Sequence, residues 1–149
     1  MAAWPTGVAV VTSAADGRPV GCTVTAVASV SADPPLLLVS LATKSRTLAA
    51  IARTGRFALC VLSTAQRDLA RTFATGDPVG RFAGVPFDWV FGVPVLRAAT
   101  AGAVCAIHSR LPVADHVLVV GAPAWHVPDP SGAPVIWYQR GLWKLCDPS

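Results

Sequence analysis

The sequence predicts a mainly β protein, a small antiparallel barrel into which two short helices are inserted. Six or more apolar or β-branched segments occur along the chain, and short turns join most of them. This arrangement favours antiparallel pairing over the strand–helix alternation of a parallel α/β sheet. The 149 residues are enough for one domain, residues 1–149. With 53% hydrophobic and 13% charged residues, exposed sheet edges would be unfavourable, and closure into a barrel would remove them.

The amino-terminal half is predicted to contain four strands. Residues 7–12 (GVAVVT) are nearly all apolar or β-branched, and Asp16-Gly17 after them favours the left-handed turn of a hairpin. The second strand is expected to run without a break over residues 20–31. The third covers residues 36–41, which are apolar enough to be buried on both faces, and the fourth covers residues 57–62.

Two helices interrupt these strands. The first is predicted between Ser45, a good N-cap, and Gly55, a typical terminator. The residues expected on its buried face are Leu48, Ile51 and Ala52. The second is predicted over residues 64–73, because Ser63 and Gln66 have the spacing of a capping box.

The carboxy-terminal half is predicted to contain a loop and two hairpins. Residues 75–94 are rich in Gly, Pro and aromatic residues and indicate a long loop. Residues 102–111 and 116–127 are predicted to form the first hairpin. After a Pro-rich turn, residues 135–138 and 142–145 are predicted to form the second.

Charge and composition exclude several classes of partner. The formal net charge is +4, but the basic residues are dispersed and do not alternate with aromatic residues, so no nucleic acid is expected. No apolar run approaches the roughly 20 residues of a membrane-spanning helix, so no membrane association is expected. A small anionic ligand suits this modest positive balance.

The cysteines and the amino terminus indicate a cytoplasmic protein. The four cysteines are far apart, without the spacing of a zinc or redox site, and each lies among apolar residues. The first basic residue is Arg18, so a secretory signal peptide is not expected. The four cysteines are Cys22, Cys60, Cys105 and Cys146.

The sequence carries no familiar catalytic motif, but the segment from Ser40 to Thr47 stands out. GxGxxG, Walker, HExxH and GxSxG patterns are all missing. A three-histidine metal site is not expected, because His108 belongs to a different predicted strand from His116 and His126. Residues 40–47 join a strand to a helix start and offer hydroxyls and two cations, which suits a phosphate. A helix cap with solvated charges is the alternative.

Seven segments in this order make the chain resemble the flavin reductase family. They are PTGVAVVT, GCTVTAVASVSADPPLLLVSL, KSRTLAAI, GRFALCVLS, QRDLARTFA, RFAGV and DHVLVVG, and the resemblance runs from Pro5 to about Leu145. It implies the FMN-binding split-barrel fold, a Greek-key-like antiparallel barrel. It also implies an NAD(P)H-dependent oxidoreductase that transfers a hydride from NADH or NADPH to FMN or FAD. Such enzymes are homodimers with flavin near the interface, and they supply reduced flavin to a separate monooxygenase.

The resemblance also implies roles for individual residues. One group would line the flavin ring: Thr25, Ala26, Val27 and Ser29, with Thr6 and Gly7 close by. A second group would hold the ribityl phosphate: Ser40, Lys44, Ser45, Arg46 and Thr47, with Arg81 near the phosphate or ribityl end. His116 would be the catalytic residue, and it would border the nicotinamide site with Tyr138 and Arg140.

Several features depart from the family pattern and leave an alternative open. Ala114 stands where relatives usually have Gly before Asp-His, Cys60 stands where Asn is common, and only four residues precede Pro5. The alternative is a non-catalytic flavin-binding protein on the same barrel, serving storage, sensing or electron transfer. The residues do not distinguish FMN from FAD or NADH from NADPH. For Arg81, the alternative to a role near the flavin phosphate is a solvated charge on a loop.

Overall fold

The fold is mainly β, as predicted, and every strand pair is antiparallel. A computed structural model describes residues 3–128 and 132–145; Cys146 lies outside them. The described elements, which include one 3₁₀ turn over Thr64–Gln66, are β1 (Thr6–Gly7), β2 (Ala9–Ala15), β3 (Arg18–Val24), β4 (Val27–Ala32), β5 (Pro35–Ala42), α1 (Arg46–Thr54), β6 (Arg56–Val61), α2 (Arg67–Thr75), β7 (Phe87–Val90), β8 (Val93–Leu96), β9 (Ala101–Val113), β10 (His116–Pro128), β11 (Val135–Tyr138) and β12 (Gly141–Lys144).

A seven-stranded sheet organises the molecule, in the order β3-β2-β6-β9-β10-β5-β4. Its two outer strands, β3 and β4, follow each other in the chain and are joined by Thr25 and Ala26 alone. The prediction of one strand over residues 20–31 is therefore wrong. The segment divides because β3 pairs with β2 whereas β4 pairs with β5, so its two halves belong to opposite edges of the sheet.

The central strands of this sheet are buried on both faces. Along β6, Ala58 and Cys60 belong to one core cluster, and Phe57 and Leu59 belong to the other. The first cluster packs against α2 and β8, and the second packs against α1. Burial on both faces explains why these strands read as nearly continuous apolar runs.

The buried cysteines behave as small apolar residues, as expected. Burial raises the pKa of the Cys60 and Cys105 thiols to about 12. The Cys60 sulfur accepts a hydrogen bond from the Leu96 amide at 3.4 Å. Cys60 is thus an acceptor within the core, and it leaves no unpaired donor at the Leu96 amide.

Both predicted helices are confirmed, with small differences at their bounds. Ser45 Oγ accepts a hydrogen bond from the Leu48 amide at 3.3 Å, and Gly55 ends α1 with φ +70°. Ala52 is exposed, contrary to the prediction, because the face packed on β2 is centred nearer Thr47 and Ala50. The capping box predicted before α2 is present, but the turn that follows Ser63 is a 3₁₀ turn and not the first turn of the α-helix.

Part of the predicted loop over residues 75–94 is a hairpin instead. Strands β7 and β8 pair through a turn at Phe91 and Gly92, which have φ values of 48° and 80°. The prolines of this segment favoured a loop over strand β8. In a two-stranded sheet, however, one side of each strand makes no ladder hydrogen bonds, and Pro94 is tolerated there. All four residues of β8 are buried.

Both carboxy-terminal hairpins are confirmed. The turn of the β9–β10 hairpin contains Ala114 at φ 51°, in the left-handed region that disfavours a side chain by roughly 1–2 kcal/mol. The β11–β12 turn also has positive φ, at Gln139 and Arg140, and β1 extends this pair to a three-stranded sheet. Neither helix among the described residues has the length and apolar character needed to cross a bilayer.

Candidate functional site

A cleft of about 420 Å³, the α1 cleft, opens beside the amino terminus of α1. One wall is the middle of β3, and the opposite wall is the segment that enters α1. Its lining residues from the entry segment are Lys44, Ser45, Arg46 and Thr47, and α2 and the loop after it contribute Phe73, Ala74, Pro78 and Arg81. The fold thus brings together five residues that the sequence analysis had grouped at a phosphate.

The α1 cleft is rich in hydrogen-bond donors. Ser45 caps the Leu48 amide, and the Ala49 amide bonds to the Ser45 carbonyl. The amides of Arg46 and Thr47 have no backbone acceptor among the described residues, as expected for the first turn of a helix. The lining includes no carboxylate from the described residues. Free amides, a hydroxyl and two cations give this cleft the chemistry of an anion site.

Arg81 holds the wall of this cleft. Its guanidinium donates to the carbonyl oxygens of Gly21 at 2.8 Å and Gly76 at 3.1 Å, and more weakly to that of Ala74 at 3.5 Å. These bonds tie the loop after α2 to β3. Arg81 is therefore not a solvated loop charge, because three of its five N–H donors are used within the protein, and it also lines the cleft in which the phosphate is predicted.

A second cleft of about 390 Å³, the β1 cleft, lies where β3 ends and β4 begins. It contains Thr6, Gly7, Thr25 and Val27, four of the residues predicted near the flavin. The Thr6 Oγ1 atom is buried without a hydrogen-bond partner among the described residues. A buried hydroxyl in this state is uncommon, and it indicates a place where a polar ligand atom would be favourable.

A third cleft of about 620 Å³, the arginine cleft, connects the other two. It shares Thr23 with the α1 cleft and Thr25 with the β1 cleft. Its remaining walls come from α2 and the β11–β12 hairpin, which contribute Arg67, Ala70, Arg71, Ala74, Thr75, Trp137, Arg140, Gly141 and Leu142. The three clefts therefore adjoin one another along the end of β3, and together they are called the groove below.

Three predicted flavin residues, Ala26, Ser29 and Ser40, lie outside the linings of these clefts. Ser40 is half-buried on β5, and its amide donates to the Ala26 carbonyl at 3.0 Å. Ser29 is exposed on the edge strand β4. Their places on two neighbouring strands link them to the Thr25–Val27 segment, but not to the α1 cleft.

His116 lies at the tip of the β9–β10 hairpin with Asp115 as its partner. The His116 Nδ1 and Asp115 Oδ1 atoms are 2.8 Å apart, and this hydrogen bond lowers the pKa of the Asp115 carboxyl. The Asp115 carbonyl accepts a hydrogen bond from the Thr43 amide at 2.9 Å. The histidine is thereby fixed beside the segment that enters α1, with its side chain 45% exposed.

Tyr138 and Arg140 belong to a different hairpin from His116. The Tyr138 ring meets the Trp143 ring edge-on at 6.4 Å, and its carbonyl accepts from the Trp143 indole at 2.9 Å. Arg140 lines the arginine cleft. Within the described residues, no hydrogen bond or shared cleft joins this pair to His116, so the three residues predicted around nicotinamide form two groups in the single chain.

Sequence reasoning missed Arg67 and Arg71. Both lie on α2 and face the arginine cleft. The signal was available in the segment QRDLARTFA, because residues four apart share a helix face while Ala70 and Phe73 are buried. Thr23 and Trp137 were also missed, and no local signal identified them.

Comparisons with known proteins agree on one family. The family described as "Flavin reductase like domain" matches residues 1–145. The NADH-dependent FMN reductase AsuE2 of Streptomyces nodosus subsp. asukaensis is 40% identical over 149 residues, covering 97% of this chain and 80% of that protein. The flavin-dependent monooxygenase reductase subunit HsaB of Mycobacterium tuberculosis is 33% identical over 148 residues, covering 96% and 77%.

A solved structure agrees with these relatives. The Streptomyces globisporus NADH:FAD oxidoreductase SgcE6, in complex with NAD and FAD fragments, superposes with a TM-score of 0.91 at 27% identity, covering 98% of this chain and 88% of that chain.

Proposed function

The chain belongs to the flavin reductase-like domain family, and from this premise we propose that it is an NAD(P)H:flavin oxidoreductase that transfers a hydride from NADH or NADPH to FMN or FAD. The observation that carries this function is the match of residues 1–145 to the family. The names of the relatives add NADH as the reductant, and they divide between FMN and FAD as the flavin. Both flavins therefore remain candidates.

The finer architecture that we propose is the split barrel of this family. Its support is the route of the chain, in which the two edge strands of the seven-stranded sheet are consecutive and separated by Thr25 and Ala26 alone. The Ser40 amide bonds to the Ala26 carbonyl, so this connection is also anchored to β5. Curvature of the sheet would bring its two edges towards each other along this segment.

The groove residues fit a flavin. A flavin phosphate carries negative charge, and the α1 cleft offers the free amides of Arg46 and Thr47, the Ser45 hydroxyl and the cation of Lys44 without an opposing carboxylate. The unpartnered Thr6 hydroxyl lies in the β1 cleft, where a polar edge of the ring system would satisfy it. Arg81 serves this site by holding the cleft wall.

A bound flavin supplies the hydride-accepting chemistry, so the protein needs neither a carboxylate pair nor a nucleophile. The chain's own residues bind, orient and exclude water. Strand β4 is an edge strand, and unpaired amides on its free side can stabilise negative charge on a ligand next to Val27 and Ser29. Thr25 lines the adjoining β1 cleft, and Ala26 next to it has a small side chain.

We propose that His116 positions the nicotinamide nucleotide or transfers a proton. Because the ionised Asp115 carboxylate can only accept, Nδ1 of His116 carries the proton of their hydrogen bond. In the neutral ring Nε2 is then left as the acceptor, facing away from Asp115. In this arrangement Asp115 is a positioning residue.

We further propose a homodimer that passes reduced flavin to a separate monooxygenase. The outer face of the β9–β10 hairpin exposes Leu111 at 59% and Val113 at 45%, and these residues pair with Leu118 and His116 across the hairpin. An exposed apolar face of this kind is typical of an interface. The separate monooxygenase is proposed because the relative HsaB is a reductase subunit of a flavin-dependent monooxygenase. The free thiols Cys22, Cys60 and Cys105 suit a reducing compartment, and we propose the cytoplasm.

The proposed activity predicts a coupled loss of two absorbances. Purified protein mixed anaerobically with NADH and either FMN or FAD should consume NADH and bleach the oxidised flavin together, because the hydride moves from one to the other. A bound yellow flavin with unchanged NADH, and likewise unchanged NADPH, would contradict the enzyme and support the non-catalytic flavin binder.

The α1 cleft predicts a phosphate-dependent loss of affinity. Replacing Ser45 and Arg46 by Ala should weaken FMN binding about ten-fold or more but riboflavin binding little, because charge-assisted hydrogen bonds to the phosphate are lost. Fluorescence quenching measures both affinities. Arg53→Ala, in the last turn of the same helix, is the control and should leave both unchanged. Equal losses for the two flavins would put the phosphate elsewhere.

The Asp115–His116 pair predicts a kinetic split. His116→Ala should raise KM for NADH and leave flavin affinity nearly unchanged if the ring only positions the nucleotide. If it also moves a proton, kcat should fall as well, by about 10²-fold. His126→Ala, at the far end of the same strand β10, is the control. Unchanged kinetic constants for NADH in His116→Ala would remove this residue from the site.

The exposed hairpin face predicts the subunit state. Light scattering at micromolar concentration should give twice the chain mass, and Leu111→Asp should shift the protein to monomers because a carboxylate would be buried without a partner. Val79→Asp, on an exposed loop, should leave the mass unchanged. A wild-type protein that is monomeric and fully active would overturn the dimer.

A further inference from the structure

The arginine cleft gathers three guanidinium groups from two elements. Arg67 and Arg71 are one turn apart on α2, and Arg140 comes from the left-handed turn between β11 and β12. All three line the same cavity of about 620 Å³. Of these three residues, only Arg140 is predicted from the family resemblance to border a ligand.

None of these three guanidinium groups forms a salt bridge among the described residues, although Asp68 lines an adjoining cleft with Arg67 and Arg71. The salt bridges found among residues 3–128 and 132–145 join Arg97 to Asp88 and Asp115 to His116. No carboxylate belongs to the described lining of the arginine cleft, and like charges four residues apart on a helix repel each other. An anion in the cleft would offset this repulsion, and guanidinium groups suit the paired oxygens of phosphates.

The cleft also contains a flat apolar surface. The Trp137 side chain lines the cleft and is partly exposed, with Leu142 beside it. Aromatic rings of this kind stack with nucleic bases. Guanidinium groups can bind the phosphates of a nucleotide while the neighbouring indole stacks on its base, so the cleft suits a nucleotide with more than one phosphate.

The position of the cleft separates it from the flavin phosphate. It meets the α1 cleft at Thr23 and Ala74 and the β1 cleft at Thr25, so one groove holds two groups of cations. The cations at Lys44 and Arg46 are those assigned above to the flavin phosphate. The second group is free for a different phosphate-bearing part of a ligand.

We propose that the arginine cleft binds the adenosine diphosphate moiety that NADH and FAD have in common, with Arg67 and Arg71 on the diphosphate and Trp137 against the adenine. The ligand's identity rests on the proposed function, whereas the site rests on the cleft itself. Arg140 then completes the cationic lining from the opposite wall.

Binding of ADP to the flavin-free protein tests the site directly. Calorimetry should detect ADP binding that weakens about ten-fold or more in Arg67→Gln/Arg71→Gln, because two charge-assisted contacts are lost. The control is Arg18→Gln/Arg53→Gln, which removes the same charge from residues outside the cleft lining and should bind ADP as the wild type does. Circular dichroism and thermal unfolding of both variants establish that they fold. Equal ADP affinity in the two double variants, or no ADP binding by the wild type, would overturn the proposal.

Kinetics then identifies which dinucleotide uses the site. If it serves NADH, the Arg67/Arg71 variant should raise KM for NADH about ten-fold, while KM for reduced nicotinamide mononucleotide, which lacks the ADP moiety, stays the same. If it serves FAD, affinity for FAD should fall while affinity for FMN does not. Equal losses for the truncated and complete ligands would overturn the assignment to ADP. A wild type that binds ADP but oxidises no NADH would refute the proposed function and leave the site standing.

Discussion

The structure depends on one constraint: the two edges of the main sheet are consecutive in the chain. Strands β3 and β4 lie at opposite edges and are joined by Thr25 and Ala26 alone. This short connection keeps the ends of both edge strands together, and the β1 and arginine clefts open around it. The groove is thus a consequence of sheet topology, and its lining includes Thr23 and Thr25 of the TVTA segment.

The distribution of charge follows from the same arrangement. A net charge of +4 is modest, and along the chain the basic residues are dispersed. Folding brings α1, α2 and the β11–β12 turn to the rim of one groove, so that Lys44, Arg46, Arg67, Arg71 and Arg140 all face it. The described lining of the α1 and arginine clefts includes no carboxylate. A dispersed sequence charge therefore becomes a local site for anions, which suits a reaction whose two reactants both carry phosphate.

Structural features that depend on interactions within a few residues could be predicted from the sequence. Features that depend on strand pairing or on contacts between distant segments could not. Ser45 and Gly55 predicted α1 because capping is a local interaction, and Asp16-Gly17 predicted the first hairpin for the same reason. The division of residues 20–31 into two strands could not be read from TVTAVASVS, because its alternation continues across the break. The bonds of Arg81 to three carbonyls were equally hidden, since their acceptors lie on β3 and at the end of α2.

The tip of the β9–β10 hairpin holds an alanine in the left-handed conformation and a histidine in a fixed position. Ala114 adopts φ 51°, a conformation that Gly would adopt without strain. Asp115 next to it makes two bonds at once: its carbonyl accepts the Thr43 amide, and its carboxylate accepts His116 Nδ1. The first bond holds the tip against the entrance to α1, and the second orients the imidazole. Together they hold the tip in place, so the histidine keeps a defined position beside the segment that contains Lys44 and Arg46.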